Sequence, residues 1–277
     1  MHGKEEINNV TSYLNEIFST DLDNSLNTRC YRGHADENWK IVPSVLRGLK
    51  SEAESSIISE LTLEAPDDFK SDNLMFNKLV RAQHYGAPTR LLDASLNPLV
   101  ALYFSCREEE EKDACVYVMD FLKKRVKFAD SDVVSLISNL ARLSDSEKKI
   151  LSENRKIGEA EFRKLAGLKR LIQFVRVEKP YFLDSVKHND LFRYYFVYPS
   201  KNNKRVIAQS GVFITAGLLE YKGLTSSDGL NVKKIIIKKE FKADMIKELD
   251  VLNINSRTMF PEIEFASKYI KDKWGVI

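Results

Sequence analysis

The spacing of apolar and polar positions divides the chain into elements before any single residue is singled out. Ile7, Val10, Leu14 and Phe18 recur at helical intervals in EINNVTSYLNEIFS, which predicts an amphipathic helix over residues 5–18. TRCYRG at 28–33 reads as a short strand closed by a glycine, and Pro43 keeps the following HADENWKIVPS irregular. A helix is predicted over 51–64, opening on Ser51 with acidic residues in its first turn. After a loop, APDDFKSDN, a second helix is predicted over 73–83 with Leu74, Leu79 and Val80 on one face. Gly-Ala-Pro at 86–88 stops it, because Pro88 drives Ala87 out of helical geometry.

TRLLDAS is a short strand, and Asn97-Pro98 opens a helix that buries Leu99, Ala101, Leu102 and Phe104. ACVYVMD at 114–120 is a buried strand. Residues 131–170 are polar, Lys/Glu-rich and helical, as an inserted lobe would be. Strand character returns in LIQFVRVEKP (171–180), YYFVY (194–198), GVFITA (211–216) and KKIIIKK (233–239). FKADMIKELDVL and PEIEFASKYIKDKW read as closing helices, with Pro261 opening the last. The pattern predicts one α+β domain over residues 1–277 with a helical insertion at 121–170.

Composition narrows the class. Apolar residues make up 43% of the chain and charged residues 30%. No apolar run approaches the roughly 20 residues of a membrane span, and MHGKEEINNVTSYL has no apolar signal-peptide core. A soluble, cytoplasmic protein is the expectation. Cys30, Cys106 and Cys115 are odd in number and form no CxxC, which favours buried thiols over a zinc site. The net charge of +3 decides little. The chain has neither GxGxxG nor GxxxxGK[ST], which argues against Rossmann and P-loop nucleotide sites. The acidic run REEEEKD reads as a solvated helix end.

Candidate chemistry concentrates in QHYGAPTRLLDASLNPLVALYFSC, residues 83–106, which sets His84, Tyr85, Arg90, Asp93, Ser95 and Asn97 among apolar positions. Crowded polar groups at the end of an element usually line a cleft. Arg90 and Asp93 face opposite sides of their strand, so each needs a partner elsewhere. For Asp93 both Arg32 and His84 are open. Ser95 and Asn97 bracket a helix start, where capping is the simpler role. Tyr31-Arg32-Gly33 places a planar cationic fork beside an uncrowding glycine, which suits either a phosphate or a structural pair with Asp93. Gln209-Ser210-Gly211 precedes a strand and suits a turn or a ribose contact. Glu262 and Glu264 sit where a helix N-terminus favours acids. RYYFVYPSKNNKR interleaves aromatic and basic residues, Arg193, Tyr194, Tyr198, Lys204 and Arg205 among them. It suits a nucleic-acid surface or a strand with a basic turn.

YRG at 31–33, QHYGAPTRLLDASLNPLVALYFS at 83–105, RVIAQSGVFI at 205–214 and ELDVLNINSRTMFPEIEFASKYI at 248–270 together resemble the FRG domain, with tyrosine in place of the phenylalanine that names the family. The chain also resembles ADP-ribosyltransferases of the arginine-serine-glutamate type. Tyr31-Arg32-Gly33 is similar to their first strand. Asp93-Ala94-Ser95 with Ala101-Leu102-Tyr103-Phe104 is similar to their serine strand and following helix. Gln209-Ser210-Gly211 falls where their glutamate loop would be. This second resemblance implies a split, mixed or antiparallel sheet flanked by helices.

It also implies an enzyme that consumes NAD and needs no metal, because the leaving group is already a cationic pyridinium. Arg32 would hold the pyrophosphate. Tyr31, Gly33, His84, Tyr85, Arg90, Ser95 and Asn97 would shape the pocket. Gln209 stands in place of the glutamate, so Asp93, Glu220 or Glu262 would have to supply negative charge. The acceptor would be a macromolecule, with RNA favoured by residues 193–205. By analogy, a toxin-like role in phage defence or a toxin–antitoxin pair, with an inhibitory partner protein, would follow. The competing expectation is a non-catalytic module that binds nucleic acid or protein, its polar cluster purely structural.

Overall fold

The computed structural model describes residues 6–19, 27–50, 52–184, 186–219 and 223–274. Seven strands form one sheet: β1 Asn27–His34, β2 Leu91–Ser95, β3 Ala114–Leu122, β4 Val126–Phe128, β5 Tyr194–Tyr198, β6 Gly211–Ala216 and β7 Leu230–Ile237. Their order is β4-β5-β6-β2-β1-β3-β7, antiparallel throughout except for the parallel pair β4–β5. The helices, in chain order, are α1 Val10–Phe18, α2 Ala53–Glu64, α3 Pro66–Phe69, α4 Met75–His84, α5 Pro98–Cys106, α6 Asp132–Asn139, α7 Asp145–Glu153, α8 Glu159–Phe162, α9 Ala166–Glu178, α10 Lys204–Ala208, α11 Lys239–Val251, α12 Ser256–Met259 and α13 Ile263–Trp274. The fold is mixed α and β, with a curled mixed sheet flanked by helices. No helix among the described residues is long and apolar enough to cross a membrane.

The sheet is two well-paired halves joined at one point. β1 pairs with β3 from Asn27↔Leu122 to His34↔Cys115, and β3 pairs as fully with β7. On the other side β2 pairs with β6 from Leu91↔Thr215 to Ser95↔Gly211. Between the halves, β1 and β2 share only the register Tyr31↔Ser95. Alternating side chains give each half an inner and an outer face. The inner faces meet in one core, where Cys30, Met119 and Phe121 pack with Leu92, Phe196 and Ile214. The outer face of β1, β3 and β7 is covered by α1, α5 and α11, through Tyr13, Leu102 and Met245. The outer face of β2, β5 and β6 is covered by α2, α4 and α6, through Ile58, Leu79 and Val134.

Helix α5 lies hard against β1. Its start is set by Pro98 in the first turn and by Asn97, whose side-chain oxygen accepts from Leu99 N at 2.9 Å. A Cβ built on Gly33 would stand 2.0 Å from Ala101 O and 2.7 Å from Ser105 N, both backbone atoms. Only glycine permits this approach.

The helices α6 to α9 pack into a lobe with its own core of Leu140, Leu151, Phe162, Leu171 and Phe192. A buried ion cluster fastens the lobe to the sheet. Glu54 of α2 accepts from Arg90 Nε and Nη2 at 2.6 and 2.5 Å and from Lys148 of α7 at 2.6 Å, while Arg90 Nη1 reaches Ala216 O at 3.0 Å. Burial alone would raise the Glu54 pKa, but the two cations outweigh it and hold the carboxylate ionised. At the far end of the sheet, the buried Lys242 of α11 donates to Glu108 O, Glu109 O, Ala35 O and Lys112 O at 2.6–3.3 Å. It thereby folds the acidic loop 107–113 around an ammonium.

Several expected elements shift. LIQFVRVEKP is not a strand; its residues 171–178 are the second half of α9. Leu168, Leu171, Ile172 and Val175 are buried at helical spacing, and that period overrides the β-branched composition. The helical stretch begins at Asp132, because residues 121–128 continue β3 and form β4 in the sheet. The expected loop APDDFKSDN contains α3, and α10 and α12 are further short helices. Ser51, the expected opening of α2, lies outside the described residues, and Glu52 stands at the cap position without a side-chain capping bond. All three cysteines are buried, and burial pushes each thiol's pKa upward.

Replacing Gly33 by alanine drives a methyl group into the α5 backbone. A loss of about 3 kcal/mol of stability or more is expected, read as a lower urea midpoint, or as loss of soluble protein.

Candidate functional site

A cleft of about 270 Å³ opens where β1 and β2 part. Beyond Tyr31↔Ser95 the two strands no longer share backbone hydrogen bonds, and the Arg32 side chain spans the gap. Its Nη1 donates to Asp93 O at 2.5 Å, and its Nε donates to His34 Nε2 at 3.0 Å. Arg32 is thus held by a strand carbonyl and a ring nitrogen, and makes no ion pair within 4 Å among the described residues. Its Nη2 has no protein partner there either. Arg47 faces the same cleft, with Nε on Val42 O at 2.7 Å and likewise no carboxylate within 4 Å among the described residues. Burial lowers the pKa of both guanidiniums; at Arg32 the nearby Asp93 charge opposes that fall and Arg47 adds repulsion. Two cations facing one cavity, Arg32 half-buried and Arg47 exposed, favour an anion between them.

His34 fixes the geometry of Arg32. Because Nε2 accepts from Arg32, the proton belongs on Nδ1, which donates to Trp39 O at 3.1 Å. Burial first, and Arg32 second, depress its pKa to about 3, so the folded protein holds it neutral. Asp93 is anchored from α4. Gln83 Nε2 donates to Asp93 Oδ2 at 2.6 Å, and Thr89 Oγ1 donates to Gln83 Oε1 at 2.5 Å, which sets the orientation of the amide. Neither partner open for the Asp93 carboxylate in the sequence is the one found. Arg32 bonds its backbone carbonyl, and His84 pairs with Glu262, whose Oε1 lies 2.8 Å from His84 Nε2. Burial would raise the Glu262 pKa, but the His84 hydrogen bond helps hold it below its usual range.

On the opposite wall, Ser95 Oγ donates to Gln209 O at 2.7 Å and accepts from Asn97 N at 2.9 Å. Gln209 Nε2 donates to Met259 O at 3.0 Å. The registers Tyr31↔Ser95 and Ser95↔Gly211 set Tyr31-Arg32-Gly33, Asp93-Ala94-Ser95 and Gln209-Ser210-Gly211 side by side across three adjacent strands. Arg205 completes the rim, its guanidinium 4.8 Å over the buried Phe260 ring.

Tyr31, Arg32, Gly33, His84, Asp93, Ser95, Arg205 and Gln209 all line the cleft. Arg90 does not, because Glu54 draws its side chain into the buried ion cluster. Asn97 is spent on capping α5. Tyr85 and Lys204 line a second, adjoining cavity. Arg193, Tyr194 and Tyr198 lie on or beside β5 instead. Arg193 stands 3.8 Å from Asp190, Tyr194 is half-buried, and Tyr198 stacks on Phe128, so the aromatic-basic stretch is divided between two regions. Glu220, one of the candidate acids, lies outside the described residues. The cleft also contains Gln83, and His34 and Arg47, which the sequence did not single out. Gln83 stood inside the marked stretch, whereas nothing local to Arg47 signals its place. Among the described residues no cluster of three or more His, Cys, Asp or Glu side chains is arranged to hold a metal.

The family model of the FRG domain matches residues 27–114. The match runs from β1 to the first residue of β3, and so contains the parted strands, α4 and α5. No curated protein and no solved structure matches the chain.

Neutral His34 gives a pH test. In the unfolded chain an imidazole titrates near 6.5, at about its ordinary value. As pH falls below about 6.5 the unfolded state takes up a proton that the folded state refuses until about pH 3. Stability therefore drops through that window, by up to ~1.4 kcal/mol per pH unit from this residue. Urea midpoints at pH 7 and pH 5 should differ more for the wild type than for His34→Gln.

Proposed function

We propose that the cleft binds NAD and that the protein is an NAD-dependent ADP-ribosyltransferase acting on a macromolecular acceptor. The observation that carries the reading is the pair Arg32 and Arg47, a half-buried and an exposed guanidinium that face one cavity at the parting of β1 and β2 with no carboxylate within 4 Å among the described residues. Such a pair suits a pyrophosphate, whose two charges match two planar forks. The apolar faces of Val80, Val100 and Phe104 suit the flat rings on either side of it. The alignment of the three motifs across β1, β2 and β6 agrees with the transferase resemblance seen in the sequence.

In the transfer, the bond from the ribose anomeric carbon to nicotinamide breaks and its electron pair goes to the pyridinium nitrogen. Neutral nicotinamide leaves, an acceptor oxygen or nitrogen bonds to the anomeric carbon, and the acceptor's proton passes to a base. The developing oxocarbenium charge calls for a nearby carboxylate. Gln209 carries no charge and its amide is engaged with Met259 O, so Asp93, held in place by Gln83, takes that role. Acting inside its own cell, such an enzyme is toxic and calls for a neutralising partner protein, as in a toxin–antitoxin or phage-defence system.

A second reading has an observation in its favour. Ser95, Gln83 and Gln209 are all hydrogen-bonded to protein groups, as in a structural network around a binding module. NAD labelled in its adenylate moiety, incubated with the protein and with RNA, DNA or cell extract, separates the two. Label transfer is expected from the wild type. Arg32→Lys, which keeps charge but loses the fork, should lose at least about tenfold. Asp93→Asn should lose roughly 10²–10³-fold while still binding NAD. A wild type that neither binds NAD nor transfers label leaves the binding module standing.

A further inference from the structure

A second cavity of about 290 Å³ adjoins the cleft, and Val80, His84, Asn203 and Arg205 line both. At its mouth stands the Tyr85 ring, whose hydroxyl donates to Asp68 Oδ1 at 3.3 Å. Tyr85 is 55% exposed and lies against the His84 ring, with centroids 5.4 Å apart and planes 20° from parallel. Beside it are two cations without acidic partners. Lys204 is exposed, Arg205 is held over Phe260, and neither has a carboxylate within 4 Å among the described residues. Arg81, by contrast, is committed to Asp72 at 2.5 Å. The rest of the lining mixes polar Asn77, Ser200 and Asn202 with Pro199 and Pro261, and its two carboxylates are engaged, Asp72 by Arg81 and Glu262 by His84. An exposed stacking pair flanked by uncommitted cations is the chemistry that holds a base and its phosphates.

We propose that this second cavity is the acceptor site and that the acceptor is a single-stranded nucleic acid. One base stacks on the Tyr85–His84 pair, and the adjoining phosphates meet Lys204 and Arg205. The chemical part of the inference rests on the transferase reading; the binding part does not. His84 Nε2 is bonded to Glu262 Oε1 at 2.8 Å, and its Nδ1 makes no hydrogen bond among the described residues. With the proton on Nε2, donated to the carboxylate, Nδ1 is a base on the border of the two cavities. The acceptor's O–H or N–H gives its proton to Nδ1. The freed electron pair bonds the ribose anomeric carbon of NAD, and nicotinamide departs with the pair of the broken bond. Glu262 stabilises the imidazolium, which returns its proton to water as product leaves.

Fluorescence anisotropy with short labelled single-stranded RNA, single-stranded DNA, duplex DNA and an acidic peptide, without NAD, tests the binding part. Single strands should bind in preference to duplex and peptide, and the RNA and DNA arms show which sugar is accepted. Tyr85→Ala should weaken binding roughly tenfold, and Tyr85→Phe, which keeps the ring, should restore it. Failure of the wild type to bind either single strand, preference for the peptide, or wild-type affinity in Tyr85→Ala each overturns the proposal. With NAD present, His84→Phe keeps a stacking ring and should bind the strand while transferring at least about a hundredfold less label. Undiminished transfer removes His84 from the chemistry. NAD binding by the wild type is measured separately by calorimetry. Its absence overturns the transferase reading and leaves the anisotropy result to be judged alone.

Discussion

The hydrogen bond from Arg32 to the Asp93 carbonyl sits at the one place where the two halves of the sheet separate. A sheet that stops pairing in its interior leaves backbone groups without ladder partners, and such groups must be satisfied by something else. Here a guanidinium does so from the side and keeps the strands apart by its own width. The same group lends the gap a positive charge. The cleft and the discontinuity in the sheet are therefore one feature, and His34 holds it in place by taking up Nε of the same arginine.

Around that join the molecule separates rigid from chemically available groups. Ser95, Asn97 and Arg90, all conspicuous in the sequence, are satisfied within the scaffold: a turn, a helix cap and a buried ion cluster. Arg32, Arg47, Asp93 and the His84–Glu262 pair keep atoms directed at open space. Arg90 lies three residues before Asp93 and is bound through Glu54 to Lys148 of the helical lobe. Any movement of that lobe is thus mechanically adjacent to the floor of the cleft.

Much of the fold was legible because local signals agreed with the global outcome. Pro98 after Asn97 marked a helix start, Gly-Ala-Pro a helix end, and ACVYVMD a strand buried on both faces. Reading failed where two periods competed. In residues 171–180, β-branched and aromatic residues suggested a strand, while Leu168, Leu171, Ile172 and Val175 carried the helical period that prevailed. The site was legible in its parts, since the three motifs that line up across β1, β2 and β6 were all identifiable. Its partners were not. Glu262 is 178 residues from His84, and Arg47 comes from an irregular segment whose place is set only by tertiary packing.

The ammonium of Lys242, enclosed by four carbonyls, gives the matched segment a boundary problem. Residues 27–114 contain β1 and β2, but β1 is completed by a strand that continues to Leu122 and β2 by one at 211–216. The loop that ends the segment wraps around a side chain supplied from position 242. Cut out alone, that segment would consist almost entirely of open sheet edges and an uncentred loop. The recognisable block is thus a signature embedded in the domain rather than a unit that folds by itself, and its boundaries in sequence are not boundaries in space.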